Sequence, residues 1–115
     1  MKTEIIITNN FSKEAKKLLK KYKSLNSELR QLNDELLQNP KLGTPIGQNS
    51  YKIRLAVKSK GKGESGGLRI ITHVKLKMHY DEITNTVYLL SVYDKPETDS
   101  ISSNELTRIL SKLNN

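Results

Sequence analysis

The segment LRIITHVKLKM, residues 68–78, alternates apolar and polar side chains as a β-strand with one buried face does. Its even-numbered positions are mostly apolar and are predicted to face the core: Leu68, Ile70, Val74, Leu76 and Met78. Its odd-numbered positions include most of the polar and charged side chains: Arg69, His73, Lys75 and Lys77. The segment therefore predicts a strand with a core face and a basic face.

The segments on either side of this strand repeat the division. In YKIRLAV, residues 51–57, the odd positions are apolar and the even positions include Lys52 and Arg54. TVYLLSVYDK, residues 86–95, begins apolar on both faces, as a central strand does, and then places polar side chains on one side. If the three strands are neighbours, five side chains are expected to converge near one end of the sheet: Lys52, Arg54, Arg69, Tyr93 and Lys95.

The N-terminal half of the chain predicts a strand followed by two helices. EIIIT, residues 4–8, is a short β-branched run. Apolar side chains at helical spacing follow from Phe11, with Ser12 as the predicted N-cap, and resume from Leu25 until Pro40 after a break at residues 23–27. Residues 39–50 are rich in Pro, Gly and Asn and predict a loop.

A short amphipathic helix is predicted at the C-terminus, where Ser102 and Glu105 have the spacing of a capping box. The order of elements is β-α-α-β-β-β-α. We expect a single α+β domain, residues 1–115, with one antiparallel or mixed sheet, an N-terminal helical hairpin and a short C-terminal helix.

Composition limits the classes of function. The 115 residues include no cysteine, which excludes disulfides and thiolate zinc sites, and the spacing of His73, His79 and Asp81 is not that of a metal site. The chain has no long apolar run, so we expect a cytoplasmic protein without membrane association. The net charge is +8, and residues 51–77 hold eight basic residues and one acidic residue, Glu64. This concentration predicts an anionic partner such as a nucleic acid.

Several motifs together resemble the RelE/ParE toxin superfamily, and within it the HigB-like branch. They are the glycine-lysine loop with Gly66, Gly67 and Arg69, the later Tyr93-Asp94-Lys95, and the closing ISSNELTRIL. The resemblance implies a RelE-like fold and the toxin of a type II toxin-antitoxin pair. Such a toxin cleaves mRNA in the ribosomal A site and is neutralised by a small antitoxin, here expected to carry a helix-turn-helix DNA-binding domain.

Metal-independent RNA cleavage requires a base for the 2′-hydroxyl, positive charge around the phosphorus, and an acid for the 5′ oxygen. The expected catalytic set is Lys52, Arg54, Arg69, Tyr93 and Lys95. The two arginines are expected to clamp the phosphate, the two lysines are candidate bases, and the tyrosine stacks on a base or assists proton transfer. The expected RNA-binding lysines are Lys58, Lys60, Lys62, Lys75 and Lys77. No cofactor is implied.

Each assignment has an alternative. A lysine-rich loop is also typical of a solvated turn, and Arg54 and Arg69 suit an edge strand that resists aggregation. Tyr93 also suits half-buried packing. The ParE branch shares the fold but acts on DNA gyrase, so a gyrase-directed toxin and a non-catalytic RNA-binding protein are the competing functions.

Overall fold

A computed structural model of the chain describes residues 1–61, 66–94 and 101–114. Within these residues the chain forms five strands and three α-helices, with 3-10 turns at Lys58–Lys60 and Lys112–Asn114. The elements are β1 (Lys2–Ile7), α1 (Asn9–Lys21), α2 (Leu25–Gln38), β2 (Thr44–Gly47), β3 (Ser50–Leu55), β4 (Leu68–His79), β5 (Glu82–Asp94) and α3 (Ser103–Ser111).

The strands form one mixed sheet in the order β1-β5-β4-β3-β2. β1 runs parallel to β5, and the other neighbours are antiparallel. The α+β class with a single mixed sheet is thus confirmed. β2 corrects the prediction of a continuous loop at residues 39–50. Its Pro45 is compatible with a strand because β2 lies at the sheet edge, where a missing N–H breaks no inner ladder.

The helix starts are set by hydroxyl caps. Ser102 caps α3 as predicted, because its side chain accepts a hydrogen bond from the Glu105 N–H at 3.1 Å. The prediction for α1 was wrong: its N-cap is Thr8, whose side-chain oxygen accepts from the Phe11 N–H, and Ser12 lies inside the helix. Thr8 also donates to the Leu89 carbonyl at 2.8 Å, so one hydroxyl ties the start of α1 to β5.

Helices cover both faces of the sheet. α1 and α2 pack on one face, where Phe11 and Leu32 join a buried cluster that includes Ile70 and Val92. On the other face α3 buries Leu106 against Ile71 and Leu90. No helix in the described parts of the chain is long and apolar enough to cross a membrane.

A bulge in β5 changes which side chains face which layer. Ile71 pairs with Ser91, whereas Thr72 pairs with Leu89, so β5 carries one extra residue at this point. Leu89 and Val92 consequently both face α1 and α2, although an uninterrupted strand would place them on opposite faces. Tyr93 then lies on the α3 face.

The far end of the β4–β5 pair corrects the predicted core. Leu76 and Met78 were expected to be buried, but they are 63% and 77% exposed. The reason is the length of the neighbouring elements: β3 begins at Ser50, opposite His73, and the buried cluster beneath α1 and α2 ends on β4 at Val74. The last residues of β4 therefore project beyond the helices.

Glu14 of α1 closes the free edge of β5 beyond its last pair with β1, Ile7 with Leu89. One carboxylate oxygen, Oε1, accepts from the Ser91 hydroxyl at 2.8 Å, the Val92 N–H at 3.2 Å and the Asn10 amide at 3.0 Å. A backbone donor on a strand edge is thus satisfied by a helix side chain.

We expect Glu14→Ala to lower the free energy of unfolding by about 1–3 kcal/mol, because it leaves the Val92 N–H without its acceptor. Lys13→Ala, on the exposed side of the same helix, is the control and should change stability by less than about 0.5 kcal/mol. Urea unfolding of the three proteins measures the difference. Equal effects of the two substitutions would contradict this role for Glu14.

Candidate functional site

Three of the predicted catalytic side chains form a row across the sheet. Arg54 of β3 pairs directly with Arg69 of β4, and Arg69 pairs directly with Tyr93 of β5. Directly opposed residues share a face and have Cβ atoms about 5 Å apart. Lys52 lies one position along, beside Thr44 and Ile71 with two residues between it and the row on each strand direction of pairing. The expected convergence is therefore present for these four residues.

The members of the row differ in exposure. The Arg54 side chain is exposed, Tyr93 is half-buried beside the α3 cluster, and Arg69 is only 2% exposed. The Arg69 guanidinium donates to the Leu68 carbonyl at 3.2 Å. Arg54 thus presents the accessible guanidinium, and Arg69 supplies a buried positive charge next to it.

A groove of about 530 Å³ runs along the edge of β3 beyond β2. Lys52, Arg54 and Lys58 line its sheet side, and Glu28 and Glu35 of α2 line the opposite side. The Glu28 carboxylate is occupied, because it accepts from the Lys58 N–H at 2.7 Å and the Ser24 hydroxyl at 3.0 Å. Glu35 is exposed. Sequence reasoning missed both carboxylates, since on a helix they read only as part of its polar face.

Lys60 lies on the opposite side of the sheet from the row. Its ammonium group contacts the Asp94 carboxylate, which also accepts from the Tyr22 hydroxyl at 2.6 Å and lies 3.8 Å from the Lys21 ammonium. The Lys60 side chain is 13% exposed. Its charge is therefore committed to an internal ion pair, although the sequence suggested an RNA contact.

The first part of the glycine-lysine loop is anchored to the junction of α1 and α2. The Ser59 N–H donates to the Ser24 hydroxyl at 2.9 Å, and the two hydroxyls lie 2.9 Å apart. Gly61 ends the turn with a φ of 75°, in the left-handed region that favours glycine. The predicted site residues Lys62 and Lys95 lie outside the described residues.

Lys75 and Lys77 form a separate basic region. They follow Arg69 on the same face of β4 by six and eight positions, a distance of about 20 Å or more along an extended strand. The Lys77 ammonium lies 5.4 Å from the centre of the Tyr88 ring. His73, next to Lys75 on this face, adds no charge near pH 7, because burial and Lys75 lower its pKa against the opposing backbone contacts at Gln48 and Asn49.

In the described ranges, no three His, Cys, Asp or Glu side chains come together as a metal site would require. No model of a known protein family matches the chain. The case for a function therefore depends on the side chains themselves.

The pKa of Asp94 is lowered. Burial acts to raise this pKa, but hydrogen bonds from Lys60 and Tyr22 and the charges of Lys60 and Lys21 lower it more. A carboxyl group whose pKa is lower in the folded state stabilises the fold fully above its ordinary value of 3.8. That stabilisation is lost as the pH falls through the folded-state pKa.

We expect Asp94→Asn to lower the free energy of unfolding at pH 7 by about 2–4 kcal/mol, because it leaves the Lys60 charge poorly compensated. The difference from the parent should stay constant down to about pH 4 and shrink at lower pH, where the parent loses its own carboxylate. Asp34→Asn, on the exposed side of α2, is the matched control. A difference that grows on acidification would contradict the ion pair.

Proposed function

We propose that the protein is the toxin of a toxin-antitoxin pair and acts as a ribosome-dependent endoribonuclease that cleaves mRNA in the A site. The observation that carries the proposal is the row of Arg54, Arg69 and Tyr93 on one face of the sheet, flanked by the groove that Lys52 lines. The motifs around Gly66 and Arg69 resemble the same class of toxin. A small antitoxin that neutralises the protein is part of this proposal.

The proposed reaction is an internal transfer that needs no metal. A base removes the 2′-hydroxyl proton, the 2′ oxygen attacks the adjacent phosphorus, and the bond from phosphorus to the 5′ oxygen breaks as that oxygen takes up a proton. The products are a 2′,3′-cyclic phosphate and a 5′-hydroxyl end. Arg54 stabilises the charge on the phosphoryl oxygens, and the buried Arg69 adds positive potential behind it.

Glu35 and Lys52 are the candidate bases on the two sides of the groove. Glu35 is ionised at neutral pH and needs no loss of an ammonium proton before it can act, which favours the carboxylate. Tyr93 supplies a ring for base stacking and a hydroxyl for proton transfer. Cutting depends on the ribosome in this proposal because the open groove needs a second surface to hold the phosphate in line.

One observation favours a non-catalytic role, in which the basic face binds RNA or gyrase without cutting. Arg69, in the middle of the row, is buried and cannot reach a bound phosphate directly from its present position. Two of the lysine charges expected for RNA are also placed differently: Lys60 is paired with Asp94, and Lys77 lies far from the row.

The test is to add the purified protein to bacterial ribosomes translating a defined mRNA and to map new RNA 5′ ends. We expect new 5′-hydroxyl ends in the A-site codon and little cutting of the same RNA without ribosomes. Arrested translation with intact mRNA would favour the non-catalytic role. Undisturbed translation combined with inhibited gyrase supercoiling would favour the gyrase target.

Single substitutions separate the proposed roles. Arg54→Ala should reduce the cleavage rate on saturating ribosomes about 10²-fold or more, because it removes a contact that strengthens in the transition state. Lys20→Ala, which removes an exposed positive charge on α1, is the control and should cut at nearly the parent rate. A parental rate for Arg54→Ala would exclude it from the reaction.

Two further substitutions test the proton transfers. Glu35→Gln should reduce the rate about 10²-fold or more if the carboxylate is the base, and should remove the acidic limb of the pH-rate profile. Tyr93→Phe should retain most of the rate if the ring only stacks, and should lose it if the hydroxyl transfers a proton. Unchanged cutting by Glu35→Gln would leave Lys52 as the base.

A further inference from the structure

The outer edge of β4 is open beyond the start of β3. Ser50, the first residue of β3, pairs with His73, and within the described residues no strand pairs with β4 on that side from Lys75 onward. The Val74 N–H points toward this side, because it donates to the Asn49 carbonyl at 2.9 Å. Since backbone groups alternate along a strand, the N–H and C=O groups of Leu76 and Met78 point the same way.

The side chains at this edge are apolar and exposed. Leu76 and Met78 lie on one face of the projecting β4–β5 pair, and Ile83, directly opposite Met78, is 44% exposed. A groove of about 670 Å³ borders the edge and is lined in part by Val74, Lys75 and Leu76. Exposed apolar side chains beside unpaired strand groups are typical of a site that accepts another strand.

The charges beside the edge select the kind of strand. Lys75 and Lys77 lie on the other face of β4, and Lys41 lines the groove, whereas none of the described residues that line it is acidic. A second copy of β4 added to this edge would set its own lysines against Lys75 and Lys77, and like charges directly opposite are destabilising. RNA would satisfy the lysines but not the exposed Leu76 and Met78.

We propose that the β4 edge binds an extended peptide segment of another protein, in which acidic and apolar residues alternate, by adding it as a further strand. Its backbone pairs with Leu76 and Met78, its apolar side chains cover theirs, and its carboxylates meet Lys75 and Lys77 on the opposite face. The site lies about 20 Å along β4 from the row of Arg54, Arg69 and Tyr93 and does not depend on the proposed ribonuclease activity.

The probe is a fluorescein-labelled peptide of about six residues in which glutamate and valine alternate, enough to span the open edge. Backbone amide hydrogen exchange of the full-length protein, followed by NMR, gives the decisive signal. In the free protein the Leu76 and Met78 amides should exchange rapidly, while the Lys75 and Lys77 amides, which point toward β5, are protected. Saturating peptide should protect the Leu76 and Met78 amides as well.

Two control peptides isolate the contributions. A peptide methylated on its valine nitrogens keeps every side chain but cannot donate to the Leu76 and Met78 carbonyls, and should bind about tenfold or more weakly. A peptide with lysine in place of glutamate should not bind measurably. Equal binding of the methylated and parent peptides would overturn strand addition, and it does so without altering the protein.

Substitutions in the protein test the same contacts from the other side. Met78→Pro removes an outward N–H without breaking a β4–β5 bond, and should weaken peptide binding about tenfold. Met78→Thr keeps the N–H and is the matched control, with a smaller loss. Lys75→Glu combined with Lys77→Glu should abolish binding of the glutamate peptide and allow the lysine peptide to bind.

Three outcomes would overturn the proposal. They are peptide binding that leaves the Leu76 and Met78 amides unprotected, protection of those amides by self-association at high protein concentration without peptide, and their protection by a single-stranded oligoribonucleotide when the peptide has no effect. The second outcome would assign the edge to a second copy of the chain, and the third would assign it to RNA.

Discussion

The pairing of β4 with β5 determines the position of nearly every side chain discussed above. This pair runs the whole length of β4, and the elements that cover it do so only at one end. Near Leu68 and Asp94 it is enclosed by helices on both faces, whereas near Met78 and Ile83 it projects. The enclosed end holds the arginine row with its neighbouring groove, and the projecting end offers an open strand edge.

Positive charge in this protein has more than one use, and position on the sheet separates the uses. Arg54 is exposed on the α3 face, while Lys60 neutralises Asp94 beneath the helices on the other face. The Lys58–Lys60 turn is held by hydrogen bonds to Ser24 and Glu28 and is not a free loop. A net charge of +8 therefore overstates the charge that is available to a polyanion.

Alternation and capping signals predicted much of the fold, because they depend on neighbours along the chain. The face assignments of Arg54, Arg69 and Ile70 followed from period-two patterning, and the α3 cap followed from Ser102 and Glu105. The misses required distant partners. The exposure of Leu76 and Met78 depends on where β3 begins, and the strand at Thr44–Gly47 depends on an edge that β3 provides.

The candidate site was predictable to a similar degree and for the same reason. The row across three strands required only alternation and neighbouring strands, but Glu35 approaches it from a helix that is distant along the chain. The burial of Arg69 and the pairing of Lys60 also depend on tertiary packing. Side-chain type alone did not distinguish an accessible cation from a committed one.

The bulge at Leu90 makes β5 sensitive to changes in length rather than in composition. Deletion of one residue there would restore simple alternation and send Tyr93 toward the helices and Asp94 toward Arg69. The ion pair with Lys60 and the aromatic end of the row would be lost in one step. Over evolutionary time this strand can therefore accept many substitutions but no single-residue insertion or deletion between Leu89 and Val92.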